Sequence, residues 1–80
     1  MKDVVHSYYK RVFEDFTILV RLNPIDLTGL ELTIGADGTV EKRKLQFDED
    51  IEDDLKEDSF KPSGALEFNL YLKGILPGRE

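Results

Sequence analysis

At 80 residues, with 40% hydrophobic and 35% charged content, the chain suits one small globular domain and excludes both a disordered polymer and a membrane-embedded protein. It has no cysteine, which removes disulfides, thiolate metal cages and a cysteine nucleophile. Its charge of −6 is almost wholly local: Asp48 to Asp58 holds eight carboxylates against the single Lys56, a local charge of −7 that leaves +1 for everything else.

The first residues lack the apolar run of about 7–15 residues that a secretory signal needs. The longest apolar stretch, Ile18 to Val20, is far short of a membrane span. A cytoplasmic location with no membrane partner is the expectation.

From Val4 to Phe16 the apolar residues fall at Val4, Val5, Tyr8, Tyr9, Val12, Phe13 and Phe16. At 100° per residue these occupy half a helical wheel, and His6, Ser7, Lys10, Arg11 and Glu14 fill the other half, so the pattern predicts an amphipathic helix. Thr17 to Leu22 then alternates with period two, as a strand does, and Asn23-Pro24 ends it. A second strand is expected with Leu30, Leu32 and Ile34 inward.

Gly35-Ala36-Asp37-Gly38 carries the Asp-Gly hairpin signature, which makes the second and third strands antiparallel neighbours. In the third strand, Thr39 to Phe47, Val40 points to one face and Leu45 with Phe47 to the other. A bulge near Lys42 to Lys44 would reconcile them, and the lysines suit an edge. After the breaker cluster Phe60 to Gly64, Ala65 to Lys73 alternates cleanly, with Leu66, Phe68, Leu70 and Leu72 on one side, and predicts a fourth strand. Residues 75–80 read as a flexible tail.

A helix over the acidic segment would seat Ile51 and Leu55 on the sheet and leave its carboxylates in solvent. Five carboxylate pairs then lie four residues apart (48/52, 49/53, 50/54, 53/57, 54/58), each repelling by about 0.2–0.5 kcal/mol. Such a face serves solubility, or it docks a basic protein partner through Asp50, Asp53, Asp54, Glu57 and Asp58. Calcium binding is not expected. Asp48, Asp50 and Glu52 match the first ligand positions of an EF-hand loop, but Asp53 replaces the turn glycine and Ser59 the terminal glutamate.

His6 is the single histidine and has no nucleophile beside it in a recognisable pattern, so no catalytic residue, metal or cofactor is expected. Lys42, Arg43 and Lys44 are consecutive, which on a strand splits them between faces and makes a weak nucleic-acid footprint.

The reading is an α+β two-layer sandwich in the order α-β-β-β-α-β, with helices on one face of a four-stranded, mostly antiparallel sheet. Leu22, Leu32, Ile34, Phe68 and Leu70 would meet Val5, Tyr8, Val12 and Phe16. Leu19, Arg21, Glu31, Thr33, Glu67, Asn69, Tyr71 and Lys73 would form an open sheet face, a second candidate interface and a seed for a weak homodimer through Leu19 and Tyr71. The expected function is a non-enzymatic protein-interaction module. The alternatives are an acidic mimic of nucleic acid that inhibits a DNA- or RNA-binding protein, and a small-molecule enzyme or ligand-binding protein.

Overall fold

The computed structural model describes residues 5–73 and has an α+β architecture. Four strands, β1 (Ser7–Val12), β2 (Phe16–Leu22), β3 (Thr28–Gly35) and β4 (Val40–Gln46), form an antiparallel meander. Helix α1 (Ile51–Glu57) follows, then the two-residue strand β5 (Lys61–Pro62), which pairs antiparallel with β1, and helix α2 (Ala65–Leu72). The sheet order is β4-β3-β2-β1-β5, which puts β4 at an edge as its lysines suggest.

Two elements differ in type from the expectation. The segment expected as the first helix holds β1, and that expected as the fourth strand is α2. Both follow from one feature of the packing: the helices lie on opposite faces of the sheet. The register aligns Tyr8 with Arg21, Leu19 with Leu32 and Ile34 with Val40, so these residues share one face, here face A. Phe68, Tyr71 and Leu72 of α2 pack there, against Leu19, Leu32 and Ile34. On face B, Leu22 and Tyr9 meet Ile51 and Leu55 of α1, together with Leu27, Phe47 and Phe60.

A strand covered on both sides buries neighbouring residues, so the two-residue period disappears. Tyr8 and Tyr9 are adjacent because each serves a different core, and together with the valines they imitate a helical stripe. In α2 the same ambiguity runs the other way. Phe68, Tyr71 and Leu72 are three and four residues apart, a helical spacing, and Ala65 to Leu72 contains no β-branched residue.

The expected bulge is also absent. The β3–β4 register runs unbroken from Thr28 opposite Gln46 to Ile34 opposite Val40. Val40 and Leu45 point apart because they are five residues apart on a regular strand: Val40 packs against the face-A core, and the register gives Leu45 the parity of face B. The irregularity sits in the turn: Gly35 N–H donates to the Thr39 carbonyl, Gly38 N–H to the Gly35 carbonyl, and Gly38 has φ +91. This is a three-residue loop with a left-handed third position, rather than a turn in which Asp37 also takes positive φ.

Expectations for residues 75–80 and for Val4 lie outside the described residues. No helix among the described residues is long and apolar enough to cross a membrane.

Candidate functional site

The acidic segment is helical over Ile51–Glu57, flanked by Asp50 and Asp58 at its two caps. Ile51 and Leu55, one turn apart, are buried against Leu22, which fixes the helix on face B and turns the other positions outward. Asp50, Asp53, Asp54, Glu57 and Asp58 are all exposed. The structure therefore brings together on one helix the residues expected to form a docking face.

Serine takes the place of the usual glycine where the helix ends. Ser59 adopts φ 69, its N–H donates to the Lys56 carbonyl, and Phe60 N–H donates to the Leu55 carbonyl. Phe60 and Leu55 also share the face-B core. These two bonds with their apolar contact make a Schellman motif. Arg11 of β1 adds a tie from outside, Nη1 donating to the Asp58 carbonyl at 2.7 Å.

The repulsion inside the helix is smaller than the spacing alone implies. Asp48 and Glu49 precede the helix, so pairs 48/52 and 49/53 lose their helical geometry, while 53/57 lies within it and 50/54 and 54/58 involve a cap. Glu52, Asp53 and Asp54 occupy the first turn, where the helix dipole favours negative charge. Burial, and secondly the negative charge of Glu52, push the Tyr9 phenol above its ordinary value against the opposing effect of a hydrogen bond with Ser7.

Among the described residues no cation forms an ion pair with a carboxylate from Asp48 to Asp58. Among the described residues the one salt bridge is Lys10 Nζ to Glu67 Oε2 at 2.9 Å, which joins β1 to α2 on face A. Also among the described residues, no three His, Asp or Glu side chains converge as metal ligands would.

The second candidate interface does not form. Leu19 and Arg21 belong to face A, whereas Glu31 and Thr33 belong to face B, and Glu67, Asn69, Tyr71 and Lys73 lie in or at the end of α2. Leu19, the proposed seed of a dimer, is only 1% exposed beneath α2.

Sequence reasoning missed a basic surface. Face A contributes Lys10, Arg21, Lys42, Lys44 and Lys61 from its strands and no strand carboxylate. The signal was alternation within each strand, legible only once the register is known. Beyond α2, face A opens into a recess of about 270 Å³ lined by His6, Arg21, Asn23, Thr28, Leu30 and Lys44. Compared with family models, curated proteins and solved structures, the chain matches none of them.

Proposed function

We infer that the protein is a non-enzymatic interaction module whose α1 face docks a basic surface on another protein. The supporting observation is the set of exposed carboxylates at Asp50, Asp53, Asp54, Glu57 and Asp58, held on a helix and its caps, anchored by Ile51 and Leu55, and forming no ion pair among the described residues. Fixed charge of one sign steers encounter with the opposite sign, and a pre-ordered face loses little entropy on binding. The nucleic-acid-mimic alternative has less support, because Lys10, Arg21, Lys42, Lys44 and Lys61 gather on the opposite face and confine the acidity largely to one side.

Affinity capture from the native host with the wild-type chain and with Asp54→Asn/Glu57→Lys tests the reading. Both positions are exposed, so the variant keeps its core. The expected result is a partner with a basic surface that elutes from the wild type as salt rises and is lost by the variant. Identical sets of proteins on both, with no salt dependence, overturn it.

A further inference from the structure

We propose that the recess at the His6–Arg21–Lys44 corner of face A is a binding site for a small phosphomonoester. The sheet register builds it. Arg21, Leu30 and Lys44 lie in one row across β2, β3 and β4, so the two cations flank an apolar floor at Leu30. His6 and Asn23 line the end of the recess just beyond the paired residues of β1 and β2. Its volume of about 270 Å³ is close to the ~300 Å³ lower end of small-molecule sites.

The donors are positioned in ways that suit a dianion. Arg21 stands over the Phe68 ring at 5.4 Å, which restrains the guanidinium before any ligand arrives. A planar guanidinium matches two phosphate oxygens, and the Lys44 ammonium adds a mobile point charge. Neither cation forms an ion pair among the described residues, although the chain carries 17 acidic side chains. Asn23 Oδ1 accepts from the backbone N–H of Ile25 at 2.8 Å and of Asp26 at 3.4 Å, which leaves its amide nitrogen as the donor for the recess. The nearby Asp26 carboxylate is committed to Thr28, accepting from its N–H and its hydroxyl. Leu30 gives the organic part of an ester an apolar surface that inorganic phosphate would not use. The site lies across the sheet from α1, so it stands or falls separately from the docking face.

Titration of the full chain with phenyl phosphate at constant ionic strength, followed by amide NMR, tests the site. The expected result is saturable binding with shifts concentrated at His6, Arg21, Asn23 and Lys44, tighter than for inorganic phosphate or benzoate. Lys44→Gln and Arg21→Gln should each weaken it about tenfold, the size of a lost charge-assisted contact. Lys42→Gln, on the same face outside the recess, should change it less than about twofold. If Arg21→Gln loosens α2 through the lost Phe68 contact, Lys44→Gln on the exposed edge strand still carries the test. Shifts that never saturate, or that spread equally over Lys10, Lys42 and Lys61, overturn the proposal. So does benzoate binding as tightly as phenyl phosphate, or wild-type affinity in Lys44→Gln.

Discussion

The Arg11 guanidinium reaches from β1 to the backbone carbonyl of Asp58, 2.7 Å away, and so ties the end of the acidic helix to the sheet. The same group lies 4.3 Å over the Phe13 ring, which itself stacks on Phe16 at 4.5 Å. A cation at a helix C-terminus opposes the partial negative charge of the last carbonyls. Arg11→Met keeps most of the apolar stem and removes the charge and the donor. It should lower stability by about 0.5–1.5 kcal/mol and speed amide exchange in the last turn of α1. Unchanged exchange there would show that the contact does not hold the helix end.

Ser59 has φ 69, a left-handed conformation that costs a residue with a Cβ about 1 kcal/mol relative to glycine. Its side chain is exposed, so little packing would be lost on truncation. Ser59→Gly should raise stability by about 0.5–1 kcal/mol in denaturant melts, with an unchanged m-value. A loss of stability would mean that the Schellman geometry is not maintained in solution.

Leu66 and Phe68 distinguish the helix from the strand expected for this segment. On a strand they would point the same way and be equally important. On α2 they diverge: Phe68 is 2% exposed in the face-A core, and Leu66 is 73% exposed. Phe68→Ala should cost about 3–5 kcal/mol, whereas Leu66→Ala should stay within about 0.5 kcal/mol. Comparable losses from both would restore the strand.

Phe68 also illustrates what the sequence discloses. Its role as core is legible from size and hydrophobicity, but its secondary structure is not, because Leu66, Phe68, Leu70 and Leu72 alternate as strand residues do. The absence of β-branched residues from 65–72 was the available contrary signal. Strands β2, β3 and β4, the hairpin at Asp37-Gly38 and the anchors Ile51 and Leu55 are all legible, since each rests on local pattern or turn chemistry.

The pairing of faces is not local. Alternation alone puts Leu22 on the same face as Leu32, yet the five residues from Asn23 to Leu27 set the register so that Leu19 lies opposite Leu32 and Leu22 turns to α1. Once that parity is fixed, Tyr8 and Tyr9, or Val40 and Leu45, stop being irregular and become the signature of a sheet covered on both sides. The acidic face was readable because its residues are contiguous. The basic corner was not, because His6, Arg21 and Lys44 meet only through the register.

Two turn carboxylates give the stability a defined acid limb. The Thr28 hydroxyl, then its N–H, hold the Asp26 carboxyl below its ordinary value of 3.8; for Asp37 the Thr39 N–H acts first and the hydroxyl second. Because the folded state binds the proton more weakly than the unfolded state, their contribution is complete above the unfolded value. It is lost as pH falls through the lower folded-state value. Thermal melts from neutral pH down to about 2.5 should show the wild type losing more stability below about pH 4 than Asp26→Asn/Asp37→Asn does. Parallel curves for the two proteins would mean that these hydrogen bonds do not favour the charged form.

The last expectation concerns the carboxylates of α1 themselves. Asp53 and Glu57 lie four residues apart within the helix, and Glu57 stands at the end where negative charge is disfavoured. Glu57→Lys turns this repulsion into an attractive acid-to-lysine pair in the preferred orientation and improves the match to the dipole. Stability should rise by about 0.3–1 kcal/mol at low salt, a modest gain because both positions are exposed and Arg11 already stands near the helix end. Glu49 is the informative control. Uniform helical spacing over the acidic segment would make Glu49→Lys relieve the 49/53 pair, but Glu49 precedes the helix, so its effect should stay within about 0.3 kcal/mol. Denaturant melts at about 20 mM and 500 mM salt separate the two, since the Glu57→Lys gain should shrink with screening. Equal gains from both substitutions would extend the helix back to Glu49, and no gain from Glu57→Lys would mean that the exposed carboxylates do not repel one another measurably in the isolated protein.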